Sequence, residues 1–194
     1  RWIYGSVAER VVRGAGVPVL LIRSGMKQPE GGTFRRIMVP LDGSAYAEAA
    51  LSYAVQIARA FDAELSLVRV AETTQIYAML TPSAQAPASV ETLNEVVAQL
   101  VADANAYLAK VGERLTGEGL RVRTQTLEGI AAEQLLAYEQ EEDIDLIVMA
   151  THGRSGFSRL VFGSVAERVL RLGKTPVMMV KPKGEIAESG DAGN

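Results

Sequence analysis

The residues whose types and spacing best suit ligand binding lie in ATHGRSGFSRLVFGSVAERV, residues 150–169. Gly153, Gly156 and Gly163 let a backbone approach a bound anion closely, because glycine has no Cβ. An apolar run before this stretch predicts a strand, and the periodic residues at its end predict a helix. A helix amino terminus presents unpaired amide groups and the positive end of a dipole, which suits a phosphate. The stretch therefore predicts a phosphate-binding loop.

Side chains in the same stretch fit that chemistry. Arg154 and Arg159 are expected to add charge-assisted contacts to an anion. Ser164 is expected either to cap the following helix or to lie in its first turn, with Glu167 three residues on as in a capping box. The alternative interpretation is structural: the glycines only shape a turn, and the serine only caps a helix.

Composition narrows the chemistry of the whole chain. Its 194 residues include no cysteine and one histidine, which excludes disulfides, thiolate catalysis and a zinc site built on histidines. The net charge of −3 and the pI near 5.4 argue against general binding to nucleic acids or membrane surfaces. Apolar runs such as VPVLLI are far shorter than the ~18–20 residues of a membrane span. No secretory signal is visible.

The elements that must position the loop alternate between strand and helix. Such alternation implies βαβ units, parallel strands and a sheet covered on both faces. Right-handed crossovers then favour an α/β doubly wound sheet, in which ligands sit at the carboxyl ends of the strands. The predicted strands are 36–42, 63–71, 120–128, 145–150 and 176–180, and the predicted helices are 43–61, 90–115, 131–142 and 163–173.

Two stretches lack periodic apolar residues. Residues 24–34 are rich in glycine and polar side chains and predict a linker that contributes little to a core. Residues 72–89 are long for a loop of a compact domain and predict a mobile lid beside the ligand pocket.

The apolar face of helix 90–115 is predicted to be core rather than a partner surface. That face carries Val90, Leu93, Val97, Leu100, Ala104, Leu108, Val111 and Leu115.

The glycine spacing resembles the nucleotide-binding motif of the universal stress protein family, G-x2-G-x9-G-[S/T]. In that alignment Gly153 is the second glycine, Gly163 and Ser164 close the motif, and Ala150 occupies the place of the first glycine. A methyl group there costs little if the residue has β dihedrals, and more if the site requires a positive φ. IMVPLDGS and PVMMV also resemble the family, and the resemblance covers about residues 34–183.

The resemblance implies a five-stranded parallel sheet with strand order 3-2-1-4-5. It also implies a cytoplasmic protein that binds ATP, ADP or AMP, with Mg²⁺ held through Asp42. Asp42 is expected near the nucleotide sugar, although LDGS is also a turn and helix-capping signal. His152 is expected to contribute its backbone rather than to act as a base. The implied nucleotide-binding residues are Pro40, Leu41, Asp42, Val70, Met149, Ala150, His152, Gly153, Arg154, Gly163, Ser164 and Val165.

The first 23 residues repeat the end of the chain. Residues 1–23 match residues 159–181 at 11 of 23 positions and share GSVAERV. This self-similarity indicates duplication. We interpret the first copy, with a helix at 6–13 and a strand at 17–23, as the carboxyl-terminal fragment of a preceding domain of the same type. The expected organisation is this fragment (1–23), a linker (24–34), a complete universal stress protein domain (35–183) and a disordered tail (184–194).

The fragment must dock, because a lone helix and strand cannot bury enough apolar area to offset chain entropy. The last predicted strand is a sheet edge and therefore a template for pairing, and the resemblance implies dimerisation through it. We predict that PVLLI pairs antiparallel with PVMMV, within the chain or from a partner chain, as a homodimer or pseudo-dimer. The residues concerned are Val19, Leu20, Leu21 and Ile22 with Val177, Met178, Met179 and Val180.

Three functions follow from these features. The first is a nucleotide-responsive sensor or regulator of the stress response. The second is a protein-interaction module of the same fold that binds no nucleotide. The third is a slow ATPase or a phosphotransferase, for which the sequence has neither a Walker G-x4-G-K-[ST] pattern nor a G-x-S-x-G elbow. No catalytic residue is therefore predicted.

Overall fold

The structure is a computed structural model that describes residues 6–78, 89–152 and 162–181. Gly153, Arg154 and Arg159 of the predicted phosphate loop lie outside these ranges, as do most of the predicted lid and the tail at 184–194. The helices are α1 (Ser6–Gly14), α2 (Ala45–Phe61), α3 (Thr74–Ala78), α4 (Val90–Gly117), α5 (Ala131–Glu141) and α6 (Ser164–Leu172). The strands are β1 (Val19–Leu21), β2 (Arg36–Pro40), β3 (Glu64–Ala71), β4 (Arg121–Glu128), β5 (Leu146–Ala150) and β6 (Val177–Val180).

The strands form one mixed sheet in the order β1-β6-β5-β2-β3-β4. Strands β2 to β6 run parallel to their neighbours, whereas β1 joins β6 antiparallel. The α/β class is confirmed. The described sheet has six strands and is mixed, because the amino-terminal segment adds a strand beyond β6.

Alternation along the strands builds an apolar layer on each face of the sheet. Ile37 and Val39 of β2 are buried in the layer that α2 and α4 cover. Met38, between them, is buried in the opposite layer with residues of α1, α5 and α6. Successive strand residues point to opposite faces, so an entirely apolar strand is needed wherever both faces are covered.

The amino-terminal segment, residues 6–27, docks against α5, α6 and β6 of the same chain. Arg23 donates hydrogen bonds to the carbonyl oxygens of Arg171, at 3.0 Å, and of Gly173. The ammonium of Lys27 lies 2.7 Å from a carboxylate oxygen of Asp143. The antiparallel pairing predicted for PVLLI and PVMMV is confirmed, and it forms within the chain.

Three expectations about single stretches are wrong. The 72–89 segment was expected to be aperiodic, but it begins with the helix α3, whose five residues span too little for a helical period to show. Met26 of the predicted linker is buried, with 7% of its surface exposed. On the α4 face expected to be core, Val90 and Leu100 are 59% and 38% exposed, whereas Leu93 and Val97 between them are buried. Across the described ranges no helix is long and apolar enough to cross a bilayer.

Candidate functional site

A cavity of about 300 Å³ lies at the carboxyl ends of β2, β3 and β5, facing the amino-terminal turns of α5 and α6. This is the edge of a doubly wound sheet at which ligands bind. The cavity is lined by Pro40, Leu41, Asp42, Ala47, Val68, Val70, Glu72, Ala131, Leu135, Met149, Ala150, Thr151, His152, Gly163, Ser164, Val165 and Ala166.

Ten of the twelve predicted nucleotide-binding residues line this cavity, and the other two, Gly153 and Arg154, lie outside the described residues. Sequence reasoning missed the lining residues of α5, Ala131 and Leu135. They follow the carboxyl end of β4, so the same strand-end rule would have found them if it had been applied to that strand. The other lining residues missed are Ala47, Val68, Glu72, Thr151 and Ala166.

Asp42 follows β2 and shapes the turn into α2. Its Oδ1 accepts a hydrogen bond from the Ser44 amide at 2.9 Å, and Ser44 Oγ caps α2 by accepting one from the Ala47 amide at 3.1 Å. Gly43 has a φ of 84°, a left-handed conformation that favours glycine. The turn role of LDGS is therefore present, and Asp42 also lines the cavity.

The end of β5 forms one wall of the cavity. Ala150 is the last residue of β5 and pairs with Val180, so its backbone is extended. The methyl group in place of the motif glycine therefore causes no backbone strain. Beyond it, the Thr151 amide donates to the Val180 carbonyl at 3.0 Å, and the Thr151 carbonyl accepts from the Gly163 amide at 2.8 Å. The first bond ties the start of the glycine loop to the end of β6, and the second joins Thr151 to Gly163 across the two ends of that loop.

The helix α6 directs its amino terminus at the cavity. Ser164 is its first residue, which is one of the two placements predicted, but the capping box with Glu167 does not form, since Gly163 is the N-cap and no side chain caps the helix. The Gly163 amide, expected to face a phosphate, is instead bonded to Thr151. The first-turn amides of a helix have no partner within it. The amides of Ser164 and Val165 are therefore the donors available to an anion.

Charge in the cavity is uneven. Among the described residues that line it, Asp42 and Glu72 carry carboxylates, and His152 adds a ring whose Nδ1 lies 3.2 Å from Thr151 Oγ1. The described part of the chain contains no cluster of three or more His, Cys, Asp or Glu residues that could hold a metal. A hard cation such as Mg²⁺ would need oxygen ligands from a bound phosphate in addition to Asp42.

Residues 33–181 match the model of the universal stress protein family, and the chain belongs to that family. Universal stress protein MJ0531 of Methanocaldococcus jannaschii is 33% identical over 153 residues, which are 78% of this chain and 85% of the relative. Universal stress protein Rv2623 of Mycobacterium tuberculosis is 26% identical over 187 residues, 93% of this chain but 58% of the relative. The solved structure of MJ0577 superposes with a TM-score of 0.67 at 26% identity, covering 78% of this chain and 98% of the other.

Proposed function

We propose that this chain is a universal stress protein that binds an adenine nucleotide, ATP or AMP, and acts as a nucleotide-responsive regulator of the stress response. The supporting observation is the cavity at the carboxyl edge of the sheet, which combines apolar walls, a carboxylate and a helix amino terminus. Ligand pockets of about 300–1,000 Å³ with a few convergent polar groups are typical of small-molecule sites.

Each part of a nucleotide has a counterpart in this proposal. The base lies among apolar side chains at the ends of β2, β3 and β5, including Val70 and Met149. The sugar lies beside Asp42. The phosphates accept hydrogen bonds from the amides of Ser164 and Val165, where the helix dipole favours negative charge.

The glycine loop completes the proposed site. Gly153 and Arg154, which lie outside the described residues, are proposed to bind the phosphates, and the other predicted residues, Pro40, Leu41, Ala150, His152 and Gly163, to contact the ligand. Mg²⁺ would be held by Asp42 together with phosphate oxygens and would neutralise part of the phosphate charge. A universal stress protein of this fold, 23% identical to this chain, has been solved in complex with cAMP. The fold can therefore hold an adenine nucleotide.

Thermal unfolding with and without nucleotide tests the proposal. A ligand at a thousand times its Kd stabilises the folded state by about 4 kcal/mol, which for a domain of this size raises Tm by roughly 8–16 °C. We expect that rise with millimolar ATP or AMP, and adenine nucleotide in the supernatant when the purified protein is denatured. The proposal fails if saturating ATP, ADP and AMP all leave Tm unchanged and no nucleotide is released.

One observation favours a second function, a protein-interaction module. The antiparallel register places Leu20 opposite Met178, its own counterpart in the repeat, and Val19 and Leu21 opposite Met179 and Val177. The pairing therefore has a local two-fold pseudo-symmetry. We propose that residues 1–23 are the end of a preceding domain of the same type and that β6 is the surface at which two such domains associate. This function is the alternative to nucleotide binding, and it leads if saturating ATP, ADP and AMP all leave Tm unchanged.

A further inference from the structure

Arg69 lies near the carboxyl end of β3, between Val68 and Val70, which line the cavity. Because successive strand residues point to opposite faces, Arg69 points away from them, towards the layer formed by α2 and α4. An arginine that packs between a sheet and the helices covering it lowers the stability of the fold unless its charge has partners. Its surroundings therefore indicate its role.

The guanidinium of Arg69 lies between an aromatic ring and the Asp42 turn. Its Cζ atom is 4.9 Å from the ring centroid of Tyr107 of α4, a cation–π distance. A methyl group built on Gly43 would lie 3.5 to 3.7 Å from its Nη1, Nη2 and Cζ atoms. Those distances are ordinary van der Waals contact, so the planar guanidinium covers the turn at the glycine that adjoins Asp42.

Tyr107 is itself held in place. Its hydroxyl donates a hydrogen bond to Glu48 Oε1, 3.1 Å away, in the first turn of α2. Burial, and then the charge of Glu48, raise the pKa of the Tyr107 hydroxyl, so it remains a donor at every physiological pH. Glu48, Tyr107, Arg69 and Gly43 thus form a continuous row of contacts that ends beside Asp42.

We infer that Arg69 is a positioning residue of the nucleotide site, which holds the Asp42 carboxylate towards the sugar hydroxyls of a ribonucleotide. The inference rests on the proposed nucleotide binding. Gly43 has no side chain to pack its own turn, and its left-handed backbone leaves the turn dependent on a neighbour for rigidity. The guanidinium supplies that neighbour, and its positive charge attracts the Asp42 carboxylate that follows β2. The ring of Tyr107 contacts the guanidinium and restricts its movement.

Discrimination between ATP and 2′-deoxy-ATP tests this role. If Asp42 accepts a hydrogen bond from the sugar, the wild-type protein should bind ATP roughly tenfold more tightly than 2′-deoxy-ATP, as expected for a bond to a charged group. In Arg69→Met, which keeps an unbranched apolar side chain, ATP affinity should fall severalfold and the ratio of the two Kd values should approach one. Tyr107→Leu should lower the ratio as well, whereas Tyr107→Phe keeps the ring and should retain most of it. Titration calorimetry with each nucleotide measures both quantities.

A double-mutant cycle separates positioning from general stability. Asp42→Ala removes the acceptor and should abolish the discrimination, and adding Arg69→Met to it should change the ratio no further, because the two residues act through one contact. The matched control is Arg59→Met, which removes an exposed arginine of α2 paired with Glu118 at 2.8 Å, and it should bind like wild type. If Arg69→Met does not fold, Tyr107→Leu and Arg69→Lys give the same comparison, since each removes the planar stack.

The outcomes distinguish this inference from the proposed function. If the wild-type protein binds ATP but Arg69→Met and Tyr107→Leu keep both its affinity and its discrimination, Arg69 is merely structural and the inference is overturned. It is also overturned if wild type binds ATP, 2′-deoxy-ATP and 3′-deoxy-ATP with equal affinity, because Asp42 then contacts neither sugar hydroxyl. If wild type binds no adenine nucleotide, the proposed function itself fails, and the inference fails with it.

Discussion

At the scale of single residues, Gly163 lies where a helix gains most from a capping side chain, and it has none. Its φ of −65° and ψ of 157° are open to any L-residue, so Gly163→Asp adds a cap without backbone strain. Glycine is itself a tolerated N-cap, so an aspartate in its place stabilises a helix by only a few tenths of a kcal/mol. Its carboxylate would also take the first-turn amides of α6 and repel a phosphate. We expect a Tm higher by about 1 °C together with an ATP Kd raised more than tenfold, measured by thermal unfolding and calorimetry.

The matched control for that change is Gly163→Asn, which caps the helix without a charge. It should raise Tm in the same way but weaken ATP binding less, since repulsion is absent. If Gly163→Asp binds ATP like wild type, the phosphates are not held at the amino terminus of α6. If both variants lower Tm, the loop that joins Thr151 to Gly163 needs glycine for a different reason, namely its close approach to neighbouring atoms.

Glu139 of α5 is a buried carboxylate, 2% exposed, that adjoins the docked amino-terminal segment. Burial raises its pKa above the ordinary value of 4.5, against the opposing effects of the Lys174 amide and the charges of Lys174 and Arg23. A raised pKa in the folded state favours folding below pH 4.5, and that contribution is lost as the pH rises through the folded-state pKa. Glu139→Gln keeps an acceptor for the Lys174 amide, at 2.7 Å, and removes the charge.

We therefore expect Glu139→Gln to unfold at a higher temperature than wild type at pH 7, by roughly 2–4 °C for each 1 kcal/mol of penalty removed. The difference should disappear at pH 4, where the wild-type carboxyl is protonated in both states. Glu141→Gln, at an exposed position of the same helix, should show little change at either pH. A loss of stability in Glu139→Gln at pH 7 would mean that attraction to Arg23 outweighs burial.

The sequence indicated which residues meet at the site better than it indicated what each one does. Asp42, Met149 and Ser164 could be placed together because strand ends converge at one edge of a parallel sheet. The bond between the Gly163 amide and the Thr151 carbonyl could not be predicted, because it depends on the separation of β5 and α6 in three dimensions. The burial of Glu139 was equally hidden, since a glutamate on a helix reads as a surface residue.

At the scale of elements, α6 connects the cavity with the docked amino-terminal segment. Its amino terminus lies at the cavity, and its carboxyl terminus receives two hydrogen bonds from Arg23. A cation at a helix carboxyl terminus also complements the dipole. Arg23→Met should therefore destabilise the protein by about 1–2 kcal/mol, judged from hydrogen bonds to charged groups. Urea unfolding measures this loss, and amide exchange should rise in residues 164–173.

Arg23→Lys is the control for that prediction. It keeps the charge near the helix terminus but cannot bridge the Arg171 and Gly173 carbonyls as a planar fork does. It should recover part of the lost stability, and faster exchange should remain confined to the end of α6. Equal stability of all three proteins would show that the carbonyls bind water as well as they bind Arg23.

Elements could be predicted where the apolar periodicity extends over many residues, and could not be predicted where it extends over few. The alternation of strand and helix predicted β2 to β6 and the long helices, because each spans several residues of one period. The helix α3 was not predicted, because its five residues include little more than one turn. Leu100 of α4 matches the helical spacing but is 38% exposed, because periodicity identifies a face and not what covers it. Tertiary contact decides that question.

At the scale of the whole molecule, the repeated sequence builds a pseudo-symmetric pair of strands from one chain. Leu20 faces Met178, and the flanking pairs are related to each other by the repeat. A two-fold interface presents the same patch from both sides. If two such domains associate through β6, as proposed, the strand β1 occupies the place that β6 of a second copy would take. Deleting residues 1–23 should uncover β6, whose main-chain groups then seek a partner.

We expect the deletion variant to form a dimer in which β6 pairs with β6 of a second copy and Met178 faces the partner's Met178. The chain has no cysteine, so a single Met178→Cys substitution reports this geometry directly. In the deletion variant it should give an oxidised dimer on a non-reducing gel. In the full chain the same substitution should stay monomeric, and Leu20→Cys with Met178→Cys should close a disulfide within the chain. Lys174→Cys, on the exposed turn before β6, is the control and should not cross-link.

A deletion variant that remains a monomer with unchanged Tm would show that β1 neither covers nor mimics an association surface. The repeat would then record ancestry alone.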